Sequence, residues 1–298
     1  MTSLPPYLAE LEAEAIYILR DGLSEATNPV ILFSGGKDST VLAELAVRAF
    51  APARPPLPLL HVDSSWEFPE VLAFRDAFAE RHGFKLIAHR NEDGVARGLN
   101  PIEHGDVYTT VMRTDALKQA LDLGGYDVIF GGARRDEERT RAKERIVSVR
   151  EPGHGWEPRR QRPELWNNFN WRMSQGQSLR VFPLSNWTEA DLWTYILLRD
   201  IPLVPLYFAK ERPIITVDGV KIVLPEGSRF PGGTVLPIHT ESVRFRTLGC
   251  WPVTGAIASQ SEDLEGVIRE TLLASHSERE GRVSDSGSLE AQKRSGYF

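Results

Sequence analysis

The sequence predicts an α/β fold: a doubly wound, mainly parallel sheet followed by an irregular C-terminal region and tail. Three observations carry this. Short apolar runs of strand length alternate with stretches of helical periodicity. The runs lack polar alternation, as strands covered on both faces do. Glycine, proline or asparagine punctuates most of the exchanges.

The elements follow in order. Leu8, Leu11, Ala15, Ile18 and Leu19 recur at helical spacing, and Asn28-Pro29 ends that helix. Val30-Ile31-Leu32-Phe33 is the first strand. Ser34-Gly35-Gly36 turns the chain, and helical spacing resumes over 40–50. Leu59-Leu60-His61-Val62 is a second strand. A helix over 69–81 follows, with Pro69 at its first position and Gly83 at its stop. Leu86-Ile87-Ala88 is the third strand. A helix from about 110 to 123 ends at Gly124-Gly125, before a fourth strand at 128–130 and a fifth at 179–182. Residues 150–176, rich in Trp, Asn, Arg and Pro, read as a long loop. Thr188 and Asp191 form a capping box that opens a helix through Leu198. Two strands, 214–217 and 220–223, flank Asp218-Gly219 and predict a hairpin. A last helix over 261–274 and a polar arm close the chain. The expected division is an α/β domain over 1–200 and a C-terminal extension over 201–298.

Composition narrows the function classes. With 41% hydrophobic and 26% charged residues, the 298-residue chain can build a core and is not of disordered type. A net charge of −6 argues against broad nucleic-acid binding, which needs a basic face to release counterions. The one cysteine, Cys250, precludes an internal disulfide and multi-cysteine metal sites within the chain. No apolar run approaches the ~20 residues that cross a bilayer. The opening residues lack a basic stretch followed by an apolar core. A soluble protein of a reducing cytoplasm, without membrane association, is expected.

Ser34, Gly35, Gly36, Lys37, Asp38 and Ser39 lie between a buried strand and a helix start. Such a turn exposes backbone N–H groups beside the positive end of a helix and favours an anion. Lys37 adds a charge, and Ser34 and Ser39 add hydroxyl donors. It is not a Walker A loop, because position 31 is Ile and Asp38 follows the lysine. A second loop, running from Gly131-Gly132 through Arg134, Arg135, Asp136 and Thr140 to Arg141, follows the fourth strand. Ligands of doubly wound sheets gather beyond the carboxyl ends of the strands, so both loops are expected at one crevice. Residues 134–164 carry ten Lys or Arg against seven Asp or Glu, a basic stretch in an acidic chain. Arginine's planar fork suits tetrahedral oxyanions, which points Arg134 and Arg141 at an anion. Glu137, Glu138 and Glu144 read instead as the solvated face of a mixed-charge helix.

The first loop resembles the Ser-x-Gly-Lys-Asp-Ser pyrophosphate loop of the ATP pyrophosphatase superfamily, whose members have an adenine nucleotide alpha hydrolase-like fold and commonly cleave ATP between the α- and β-phosphates. The second resembles the Gly-x-Arg-Arg…Ser/Thr-Arg-Ala stretch shared by its sulfate-activating and phosphosulfate-reducing branches. The likeness continues through Gln161-Arg162-Pro163-Glu164-Leu165-Trp166, through 182–189, through Arg244 to Pro252, and through Ser277-Glu278-Arg279 to a terminal Gly296-Tyr297-Phe298. The ordered series resembles the small-subunit family of bacterial two-subunit sulfate adenylyltransferases over nearly the whole chain. One departure is Ser64-Ser65, where family members often carry Thr-Gly.

The resemblance implies that sulfate attacks the α-phosphorus of ATP and expels pyrophosphate, giving adenylyl sulfate. The 34–39 loop would bind ATP and the leaving pyrophosphate, with Lys37 as its charged partner. Arg134, Arg135, Thr140 and Arg141 would hold sulfate, with Lys37, Arg134 and Arg141 as the catalytic set. His61-Val62-Asp63 resembles the position near adenine and ribose. Mg²⁺ is expected on the polyphosphate, near Asp38 or Asp63. A GTPase large subunit is the implied partner, coupling GTP hydrolysis to an uphill reaction. The alternative is an adenylyl-sulfate or phosphoadenylyl-sulfate reductase using Cys250, which would need a thiolate on a mobile arm. Cys250 sits among apolar neighbours nearly fifty residues before the end, so a buried structural role is expected.

Overall fold

The computed structural model describes residues 3–137, 141–225, 230 and 236–273. Its elements are α1 (Pro6–Glu25), β1 (Pro29–Leu32), α2 (Lys37–Phe50), β2 (Leu59–Val62), α3 (Pro69–His82), β3 (Leu86–His89), α4 (Glu92–Ala96), α5 (Pro101–Thr109), α6 (Ala116–Gly124), β4 (Val128–Phe130), β5 (Val147–Arg150), β6 (Ser178–Val181), α7 (Glu189–Arg199), β7 (Lys210–Val217), β8 (Val220–Val223), β9 (His239–Arg244), β10 (Ile257–Ala258) and α8 (Leu264–Leu273). A π-helical turn, Thr110–Asp115, joins α5 to α6.

The main sheet has strand order β3-β2-β1-β4-β6-β5. Its first five strands in that order are mutually parallel, and β5 closes the edge antiparallel to β6. This is the doubly wound, mainly parallel sheet that the apolar runs predict. Winding proceeds from β1 through β2 to β3 on one side and restarts at β4 on the other. The junction of β1 and β4 is therefore the switch point where a crevice opens. The apolar run at 30–33 is read on both faces: Val30 packs with Leu60, Leu117 and Ile129, while Ile31 and Phe33 enter the larger core.

A second, four-stranded antiparallel sheet, order β10-β9-β7-β8, follows α7. The Asp218-Gly219 hairpin forms as its sequence predicts, with φ of 50° and 81° at the two turn residues. One buried cluster includes Val181 and Leu192 together with Ile214, Val243 and Phe245, so the same core runs through both sheets.

Several elements differ from expectation. The helix expected from about 110 is preceded by α5, whose start is capped by Asn100: its side chain accepts from the backbone of Ile102 and Glu103, and Pro101 takes the first position. Gly105, at φ 40° and ψ −112°, interrupts α5 and masks its periodicity. Strand β5 carries Ser148 and Arg150 yet is buried throughout. Strand β9, His239–Arg244, is polar along most of its length. Strand β9 shows neither an apolar run nor a clean alternation, and the alternation of β5, Val-Ser-Val-Arg, predicts one solvated face where both are buried. The expected capping box is present, with Thr188 Oγ1 accepting from Asp191 N at 3.1 Å and Asp191 Oδ2 accepting from Thr188 N at 2.9 Å. The terminal motifs 277–279 and 296–298 lie outside the described residues.

Candidate active site

The last three residues of the 34–39 loop are helical: α2 begins at Lys37, three residues before the predicted start, so Lys37, Asp38 and Ser39 form its first turn. Gly35 adopts φ +74°, a left-handed conformation that glycine takes without steric cost. Hydroxyls stitch the turn together. Ser39 Oγ donates to Gly36 O at 3.0 Å and lies 3.1 Å from Ser34 Oγ, and Thr40 Oγ1 donates to Gly36 O at 2.9 Å. The Lys37 N–H donates to the Tyr207 hydroxyl at 2.8 Å. One donor of the expected anion nest is thus met by the segment just before β7.

The loop after β4 closes on this turn. A Cβ on Gly132 would lie 2.9 Å from the carbonyl carbon of Asp38 and 3.0 Å from Ser39 N, so glycine is what permits the approach. Arg134 Nε then donates to Asp38 Oδ1 at 2.6 Å, locking the two loops together. Lys37 Nζ stands 3.3 Å from Asp38 Oδ2. Burial alone would raise the Asp38 pKa, but the charges of Lys37 and Arg134 outweigh it and bring the carboxyl down to about 2. Both cations are buried, each only 1% exposed. Lys37 also lies 5.9 Å from the Trp193 ring centre.

A cavity of about 260 Å³ opens at the carboxyl ends of β1, β2 and β4. Ser34, Gly36, Lys37, Asp38 and Ser39 line it, as do Gly132 and Arg141. Arg141 is buried, with Nε 3.4 Å from Glu137 Oε2 and Nη1 4.0 Å from Glu144 Oε2. The other predicted residues are placed differently. Arg134 is buried on Asp38 and is not among the residues lining the cavity. Arg135 points away, donating to Asn186 Oδ1 at 2.5 Å and standing 3.8 Å from Glu164. Asp63 caps its own turn, accepting from Ser65 N at 2.7 Å. Thr140 lies outside the described residues, as does Glu138.

The expectation of a solvated helix face at Glu137 and Glu144 is corrected. Glu137 lines the cavity. Glu144 is buried and accepts from Arg150 Nη2 at 2.5 Å. Among the described residues the local backbone is a short 3-10 turn, Arg141–Lys143.

Residues outside the predicted site set complete the wall. Arg113, on the π-helical turn, Glu67, and the segment 247–250 all line the cavity. The first two give no sequence signal beyond charge; the last lies within a motif whose contribution spacing alone does not reveal. His61 is buried, with Nδ1 2.9 Å from the carbonyl oxygen of Phe33. A carbonyl can only accept, so Nδ1 carries the proton and Nε2 is the acceptor of the neutral ring. Burial pushes the His61 pKa down, against the pull of Glu67, and keeps the ring neutral. Cys250 is buried beside Ser64, whose Oγ is 3.1 Å from its sulfur, and burial pushes the thiol pKa up.

The site therefore joins a pre-ordered phosphate loop to an arginine-bearing second loop across one cavity, suited to holding two anions side by side. A profile of the phosphoadenosine phosphosulfate reductase domain matches residues 28–256. Sulfate adenylyltransferase subunit 2 of Rhizobium sp. (strain N33) is 54% identical, with 98% of each chain covered. Its namesake in Mesorhizobium japonicum is 54% identical over 100% of both chains. Among solved structures, phosphoadenylyl-sulfate reductase from Candida auris overlays with a TM-score of 0.49 at 16% identity, covering 77% of this chain and 99% of that one. With identity sustained over its whole length, the chain belongs to the sulfate adenylyltransferase subunit 2 family, within the phosphoadenosine phosphosulfate reductase domain group.

Proposed function

We propose that the chain is the catalytic subunit of a sulfate adenylyltransferase, converting ATP and sulfate to adenylyl sulfate and pyrophosphate. The observation that carries this reading is the shared cavity. It brings the 34–39 loop and Arg141 to one space at the switch point of the sheet, in a chain 54% identical to named sulfate adenylyltransferase subunits.

In this reaction a sulfate oxygen forms a bond to the α-phosphorus as the bond to the β-phosphate bridging oxygen breaks. No proton need move. The protein's task is to hold two mutually repelling anions in line and to stabilise charge on the leaving group. The 34–39 loop receives the β- and γ-phosphates at the N-terminus of α2, with Lys37 beneath them. Arg141 and Arg113 face the sulfate, and the His61-Val62 edge lies toward the nucleoside. Arg134 acts by fixing Asp38, and through it Lys37, rather than by touching sulfate. Mg²⁺ enters with ATP as part of the substrate: both Asp38 oxygens are already engaged by Lys37 and Arg134, so this loop offers no spare carboxylate. The phosphosulfate anhydride is uphill to form, and a GTPase as the other subunit would couple GTP hydrolysis to it. This chain brings no Walker A loop of its own.

Product analysis tests the reading. ATP and ³⁵S-sulfate incubated with the purified complex should yield labelled adenylyl sulfate. Labelled sulfite formed from adenylyl sulfate and a thiol donor would establish the reductase in its place.

A further inference from the structure

The loop carrying residues 158–172 is tied down at two points and displays what lies between them. On one side Glu164 turns inward and accepts from Ile146 N at 3.1 Å and Val147 N at 2.7 Å, closing the backbone at the start of β5. On the other, the Trp171 indole N–H donates to Asp21 Oδ2 at 2.8 Å. Its ring lies so close over Gly22 that any Cβ there would be 2.8 Å away. Phe169 packs between Trp171 and Tyr17 of α1, at 6.0 and 6.3 Å between ring centres. Between these anchors Leu165 is 60% and Trp166 88% exposed. Trp166 also holds a left-handed backbone, φ 54° and ψ 36°, unusual for a bulky residue. Both its exposure and its conformation are unfavourable in the isolated chain, and both recur where strain is kept for binding.

The surroundings state the chemistry of the occupant. From 158 to 173 the chain carries Arg159, Arg160, Arg162 and Arg172 against one acid, Glu164, which faces inward. Three of these arginines are exposed. Arg162 is held close enough to Arg172 that, after burial, its neighbour's charge further lowers its pKa. A basic, apolar-centred patch on a chain of net charge −6 is a local departure. Arginine around a tryptophan anchor is the usual make-up of an interface centre. The loop is also tied to the segment after β4, because Glu164 stands 3.8 Å from Arg135.

We propose that Leu165 and Trp166 form the docking anchor for the other subunit of the enzyme, which presents an apolar pocket bordered by carboxylates to receive them. The inference rests on a two-subunit assembly, as the relatives' designation as subunit 2 implies, but not on that partner being a GTPase.

The test is a binding titration of the full-length chain against the purified other subunit, with no nucleotide present, so that it is independent of activity. Trp166→Gly removes the indole while accepting the left-handed backbone. It should weaken binding by at least about 30-fold, the effect of losing an interface hot spot. Arg160→Glu with Arg172→Glu should weaken it further and flatten its salt dependence. Leu123→Ser, on α6 at a leucine 80% exposed, is the control and should bind within twofold of wild type. Circular dichroism and thermal midpoints of the isolated variants would confirm that each is folded. Trp166→Gly and the arginine reversals both binding within twofold of wild type would overturn the anchor. Absence of any wild-type complex would overturn the assembly and the anchor together.

Discussion

Gly132→Ala probes the approach of the two loops. The added Cβ would lie 2.9 Å from the Asp38 carbonyl carbon and 3.0 Å from both Asp38 O and Ser39 N. Carbon atoms rest at roughly 3.5 Å or more, so the shortfall is about 0.6 Å. The obstructing atoms are backbone of the first turn of α2, with no flexible side chain to yield. The second loop must therefore retreat, stretching the 2.6 Å bond from Arg134 to Asp38. Overpacking of this kind costs about 1–3 kcal/mol of stability. A 1 Å misplacement of reacting groups costs about 100-fold, so a shift of half that size should lower turnover about tenfold. Urea denaturation of the isolated chain and steady-state pyrophosphate release by the complex read the two effects separately. A variant with wild-type stability and wild-type ATP kinetics would refute the close packing of the loops as the source of the site's geometry.

Three further outcomes follow from the same geometry. Asp38→Asn leaves Lys37 and Arg134 buried without their shared carboxylate and should destabilise the fold by about 3 kcal/mol at neutral pH. Because the folded-state pKa of Asp38 is depressed to about 2, its contribution is complete above the ordinary carboxylate pKa of about 4. It is lost as pH falls from about 4 to about 2, so denaturation curves of wild type and variant should converge over that window and not above it. Ser65 holds φ +66°, a left-handed conformation that glycine adopts without steric cost. Ser65→Gly should raise stability by roughly 0.5 kcal/mol, as relief of strain exceeds the entropy of a more flexible unfolded chain; a lower thermal midpoint would contradict this. Cys250→Ser should keep sulfate-dependent pyrophosphate release within a few-fold of wild type, since the thiol is buried and protonated; complete loss in a folded variant would revive the reductase mechanism.

The parallel sheet was legible because burial on both faces writes continuous apolar runs, as at Val30 to Phe33, and because Thr188, Asp218 and Gly219 carry turn and cap chemistry locally. The turn at 34–39 was legible for the same reason: a strand, a glycine turn and a helix start are adjacent in sequence. What escaped notice depends on partners far away. Strand β5 buries a serine and an arginine, whose burial is compensated by Glu144 and Gln161. Arg113 lines the cavity from a π-helical turn between α5 and α6, and Tyr207 meets Lys37 across 170 positions of chain. Arginine composition pointed to an anion, but spacing did not tell Arg134, which clamps the loops, from Arg141, which lines the cavity. Glu144 illustrates the converse: a residue expected on a solvated, charged face is a buried counterion.

The most direct measurement is sulfate-dependent pyrophosphate release from ATP by the purified chain, alone and with its other subunit and GTP. The proposed function predicts release that requires sulfate, is lost in Arg141→Ala, and rises sharply when the other subunit and GTP are present. Release that is independent of sulfate, or absent under both conditions from a folded complex, would contradict the assignment of this cavity to sulfate adenylylation.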